Sequence, residues 1–163
     1  SVLTLARVAS GGRCEIVRQV AWRSAAYARL TTEVAALARG WRLERLVVDA
    51  TGLGGPIAAR LAESVGPRVA PFAFTAASKA ALGFALIAAI ETGRLLLHAD
   101  DGSPEAAAVR AELADCGGEF TAGGGLRWGN ERGHDDHVAS LALCLHAAEA
   151  AGPGRRATGR SRE

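Results

Sequence analysis

Apolar and polar residues alternate over Val2–Val8 and again over Cys14–Val20, with Gly11-Gly12 between them, which predicts a β-hairpin. The period then changes. Ala25, Leu30, Val34, Leu37 and Ala38 recur at helical spacing behind Ser24, a candidate cap, and the pattern stops at Gly40. A short apolar run within Leu43–Asp49 predicts a buried strand that ends in a carboxylate and enters Thr51-Gly52-Leu53-Gly54-Gly55-Pro56. Pro56 suits the first turn of a helix over 56–64. Val69–Phe74 is the next strand, Ser78 the expected cap of a helix over Lys79–Glu91, and Arg94–His98 a short strand. Ser103-Pro104-Glu105 opens a helix that runs to about Cys116. A second hairpin, Glu119–Ala122 and Leu126–Trp128, turns at Gly123-Gly124-Gly125. The last helix, over 135–150, carries Val138, Leu141, Ala142 and Leu145 on one face. The strand and helix alternation predicts an α/β fold whose mixed sheet is antiparallel at its start and parallel afterwards, flanked by helices.

Composition narrows the class. The 163 residues are 49% hydrophobic and 22% charged, enough for one packed domain. No apolar run reaches the roughly 18 residues of a membrane span, and no signal segment opens the chain. Cys14, Cys116 and Cys144 form no CxxC pair, so neither a disulfide framework nor a cysteine zinc site is predicted, and a reducing, cytoplasmic setting fits. The formal charge of +2 is concentrated in a tail with four Arg and one Glu, leaving the body mildly acidic. The body is therefore not a general electrostatic binder of nucleic acid, and any such role is local to a site. The domain is expected over 1–151, with a basic, disordered tail over 152–163.

Candidate chemistry gathers at two places. Asp49 stands at the carboxyl end of a strand, where open α/β sheets place their ligand crevices, although a carboxylate there also suits a helix cap or a glycine turn. His134-Asp135-Asp136-His137 is the densest run of metal-ligand types. Its carboxylates suit a helix N-terminus, and they also suit a hard divalent ion shared with Asp49. Lys79, Arg127 and Arg132 are candidates for phosphate contact. The glycines Gly52, Gly54 and Gly55 match neither the P-loop nor the dinucleotide fingerprint. A Gly-x-Ser-x-Gly elbow is absent, which disfavours a serine hydrolase.

Taken in order, Val47-Val48-Asp49-Ala50-Thr51-Gly52-Leu53-Gly54, Phe74-Thr75-Ala76-Ala77-Ser78-Lys79 and Gly133-His134-Asp135-Asp136-His137-Val138-Ala139 resemble the nuclease domain of phage large terminase subunits. The resemblance implies a ribonuclease-H-like fold and a metal-dependent endonuclease that cuts concatemeric double-stranded DNA during packaging. By it, Asp49, Asp135 and Asp136 are catalytic and hold Mg²⁺ or Mn²⁺, with His134 and His137 as accessory residues. It further implies the small terminase subunit and the portal as partners, and the host cytoplasm as location. In that pattern a central first strand carries another Asp. Here the chain opens on what reads as the second strand, with no acidic residue before Glu15, so the first central strand is expected to be missing. The alternatives are another ribonuclease-H-like nuclease, such as a junction resolvase, and a non-catalytic α/β module that binds a nucleotide or phosphate at Gly52–Gly55.

Overall fold

The computed structural model describes residues 1–98, 102–130 and 134–151. The N-terminal hairpin pairs β1 (Val2–Ala9) with β2 (Arg13–Ala21) in antiparallel register from Val2↔Ala21 to Ala9↔Arg13. Its turn needs positive φ, and Gly11 and Gly12, at 78° and 74°, supply it without a Cβ penalty. A register shift between Leu5 and Ala6 marks a bulge.

The first helix, α1 (Tyr27–Gly40), buries Leu30, Thr31, Val34, Ala35 and Ala38, so the predicted face is the real one. Its start is not where Ser24 would put it. Ser24 has φ of 51°, whereas a capping residue is extended, so Ala26 takes that place without a side-chain bond. The strand β3 (Leu46–Asp49), the crossover helix α2 (Gly54–Val65) and the strand β4 (Val69–Phe72) form a parallel unit from Leu46↔Val69 to Asp49↔Phe72.

The third helix, α3 (Ala76–Glu91), begins three residues before the sequence reading. Thr75 is the cap, and Ser78 returns a bond to the Thr75 N–H from the third helical position, a reciprocal capping box. The strand β5 is only Leu95–Leu96, parallel to β2. Ser103 caps α4 (Pro104–Asp115) as expected, and β6 (Cys116–Phe120) follows at once, pairing with β7 (Leu126–Asn130). The last helix, α5 (Asp136–Ala151), buries Val138, Leu141, Ala142 and Leu145 almost completely. Burial of each large side chain is worth roughly 1.5–3 kcal/mol, which makes this face the main anchor of the helix.

The architecture is α/β with mixed pairing, in three separate ladders: β1-β2-β5, β3-β4 and β6-β7. One core joins α3, α4, α5, β2 and β7, and a second lies among α1, α2, β3 and β4. The helix α5 packs against both β1 and β3. Between those two strands, each at the edge of its ladder, runs a groove of about 730 Å³. Among the described residues no strand lies between β1 and β3. No helix among the described residues is long and apolar enough to cross a membrane.

Candidate active site

Asp49 is the last residue of β3 and is exposed at the groove. Its Oδ1 accepts from the Thr51 N–H at 2.8 Å, a local turn of the kind Asp favours. Thr51 Oγ1 accepts from the Phe74 N–H at 2.9 Å, which ties this turn to the segment after β4. The Gly54 N–H bonds the Thr51 carbonyl at 3.0 Å, drawing the start of α2 against the strand end. A β-carbon at position 54 would fall inside van der Waals contact of the Asp49 carbonyl oxygen, so this approach requires glycine. Asp49 has no ion-pair partner among the described residues. Its carboxylate is accessible, with one oxygen oriented by the backbone.

The second carboxylate corner is built by side chains. Glu112, on α4, accepts through Oε2 from the His137 N–H at 2.8 Å and the Val138 N–H at 3.2 Å. These are the unpaired donors of the first turn of α5, and a carboxylate beside them also complements the helix dipole. The two aspartates before them are thus released from capping through those groups. The Asp135 carbonyl accepts the first helical bond, from Ala139, while its Oδ2 lies 3.3 Å from Lys79 Nζ. Asp136 is exposed on the groove shared with Asp49, and its Oδ2 lies 3.5 Å from the Ser1 amino group. The groove thus joins Asp49 to Asp136, and Asp135 is directed to Lys79.

His134 is exposed, and its carbonyl accepts from Asn130 Nδ2 at 3.2 Å. His137 is buried, with Nδ1 3.0 Å from Gln19 Oε1, so Nδ1 is the donor in a bond between α5 and β2. Gln19 Nε2 continues the network to Thr4 Oγ1, which shares a hydrogen bond with Ser140. Arg127 is exposed on β7, opposite Glu119. Arg132 and the basic tail over 152–163 lie outside the described residues. Burial pushes the Cys116 thiol up, a hydrogen bond with the Gly129 backbone partly offsets this, and the Asp135 charge adds to the rise, so this thiol is not activated as a nucleophile.

No protein-family model and no curated protein matches the sequence. Three crystal structures match the fold. The large terminase nuclease from thermophilic phage G20c superimposes with a TM-score of 0.68 at 22% identity, over 89% of this chain and 73% of that one. Its magnesium-bound form gives 0.70 at 24% identity over 89% and 72%, and its cobalt-bound form 0.64 at 22% over 89% and 81%. The fold is that of a large-terminase nuclease.

Within this terminase-nuclease fold, Asp49 at a strand end and Asp136 at a helix start line one groove, whereas Asp135 is turned to Lys79. Carboxylate oxygens are the hard donors that small divalent cations take, so Asp49, Asp135 and Asp136 fit such an ion in donor chemistry. Among the described residues no three His, Cys, Asp or Glu side chains are gathered closely enough to enclose one. Sequence reasoning missed Glu112, Trp128 and Gly129, which shape the second corner. Trp128 Nε1 donates to the Lys79 carbonyl at 2.6 Å, and the Lys79 ammonium lies 5.0 Å above the indole. No local pattern around Glu112 or Trp128 announces these roles, because each partner is more than twenty residues away.

Proposed function

We propose that the chain is the nuclease domain of a large terminase, a metal-dependent endonuclease that cuts concatemeric double-stranded DNA during genome packaging. The observation that carries the reading is the placement of Asp49 at a strand end and Asp136 at a helix start on one groove, with Asp135 beside Asp136, in a fold shared with a terminase nuclease crystallised with magnesium and with cobalt. Asp49, Asp135 and Asp136 would hold Mg²⁺ or Mn²⁺. Such an ion, when bound, activates water and neutralises charge on the leaving oxygen of a phosphodiester.

The chain's own residues do the positioning. The Thr51 N–H fixes one oxygen of Asp49 and so orients the carboxylate that would hold the ion. Glu112 holds the first turn of α5, so that the two aspartates project from a fixed helix start. Arg127, exposed on the β6-β7 hairpin, and Lys79 would supply positive charge to a DNA phosphate. His134, exposed beside the pair, is an accessory candidate, whereas His137 contributes by locking α5 to β2. By the same reading the small terminase subunit and the portal are partners, and the host cytoplasm is the site of action.

The test is plasmid cleavage in Mn²⁺ by an N-terminally extended chain that restores the expected first strand, with Asp49→Asn in parallel. Metal-dependent nicking that the substitution abolishes is the expected result. Folded protein that never nicks DNA, or nicking that survives Asp49→Asn, would overturn the reading.

A further inference from the structure

Lys79, the only lysine of the chain, sits in a niche built from three elements. It lies in the first turns of α3, and the Trp128 indole of β7 is packed onto that helix, its N–H bonded to the Lys79 carbonyl. Gly83, one turn further along, leaves room for the indole, because a β-carbon there would collide with the ring. The ammonium is therefore bounded by the ring face on one side and by Asp135 Oδ2 on the other. The next residue of β7, Gly129, completes the space: a β-carbon at 129 would lie 2.9 Å from Asp135 Oδ2 and 3.5 Å from Lys79 Nζ. Its φ of 145° also suits glycine. The carboxylate and the ammonium thus occupy a pocket that the backbone of β7 leaves open for them.

We propose that Lys79 is a positioning residue that serves as the resident counter-ion of Asp135, holding this carboxylate in place and giving way when a divalent cation binds it. The inference rests on the reading of Asp135 as a metal ligand. Lysine suits such a task better than arginine. Its charge is compact and its stem flexible, so the ammonium can swing off the carboxylate while the Lys79 carbonyl keeps its bond to the indole N–H. An arginine fork would grip both carboxylate oxygens and hold them. The side chains of Lys79 and Asp135 are 37% and 34% exposed, so water reaches the pair and the competition it offers is modest. A partly exposed pair of this kind is expected to weaken cation binding by about two- to fivefold.

The experiment measures Mn²⁺ binding to the full chain, without DNA, from the paramagnetic signal of the free ion. The variants are Lys79→Met, Lys79→Gln, Lys79→Arg, Asp135→Asn and the double variant Lys79→Met/Asp135→Asn, each checked for folding by circular dichroism. Lys79→Met and Lys79→Gln should bind Mn²⁺ about two- to fivefold more tightly than the parent. Lys79→Arg should bind it more weakly, and the gain from Lys79→Met should vanish when Asp135 is Asn. A merely structural lysine would move the neutral and the arginine variants in the same direction. Two outcomes overturn the inference and are distinct. If Asp135→Asn weakens binding but the neutral Lys79 variants do not tighten it, the counter-ion role falls and the metal-ligand reading stands. If Mn²⁺ does not bind, or binds equally to Asp135→Asn, Asp135 leaves the metal site and the inference goes with it.

Discussion

The two carboxylate corners of the groove are built by opposite means. At Asp49 the partners are backbone groups close in sequence: the Thr51 N–H, the Gly54 N–H on the Thr51 carbonyl, and a glycine where no β-carbon fits. At Asp135 and Asp136 they are side chains from distant elements, Glu112 under the helix start and Lys79 with Trp128 beside it. The first corner tolerates side-chain changes but no added atom at its tightest point. The second can lose any one partner and keep its backbone, so its effects are graded.

Substitutions separate the two. The largest effect is expected from Gly54→Ala, which forces a methyl group into the Asp49 carbonyl; overpacking of this kind costs roughly 2–3 kcal/mol. Chemical denaturation should show that loss, and DNA cleavage should fall with it, because the Asp49 turn must move. Next comes Glu112→Ala, which leaves the His137 and Val138 N–H groups without their acceptor and should cost about 1–2 kcal/mol, as for a lost helix cap. Unfolding curves would measure it, and Glu112→Gln, which keeps an acceptor oxygen, should recover part. A stability change for Glu112→Ala as large as that of Gly54→Ala would erase the contrast.

The smallest effect lies outside both corners. A hydrogen bond from Arg29, with a second from Trp22 Nε1, holds the Glu33 carboxyl below its ordinary range. A carboxyl depressed in the folded state adds stability above its unfolded pKa, about 4.3, and that contribution is lost as the pH falls through the folded value. Thermal melts of Glu33→Gln should therefore differ from the parent at neutral pH and converge with it in acid. Because water reaches the partly exposed side chain the difference is small, and Mn²⁺ binding should be unchanged.

The contrast also explains what the sequence disclosed. Asp49 was legible because strand, carboxylate and glycine turn are consecutive, and the face of α5 was legible because Val138, Leu141, Ala142 and Leu145 follow one period. Caps were less so. Ser24 and Ser78 both carry the right side chain, yet backbone geometry gave the capping places to Ala26 and Thr75. Glu112 could not be read at all, since it serves a helix start 25 residues away, and without it capping remained an explanation for the aspartate pair. Periodicity likewise favoured a longer strand than the two residues of β5, and left the separation of the ladders to long-range packing.

The helix α5 meets the start of the chain through Ser140, which donates to the Val2 carbonyl and shares a bond with Thr4, contacts that span 138 and 136 residues. Loop closure over such a distance comes late in folding, because its entropy is lost before the contact returns anything. On the ribosome, Asp49 can settle on its own turn as soon as α2 has emerged, whereas Asp135 and Asp136 find their frame only when α5 has followed. The groove between β1 and β3 is thus closed only after α5 has been made, and it is absent from any shorter nascent chain.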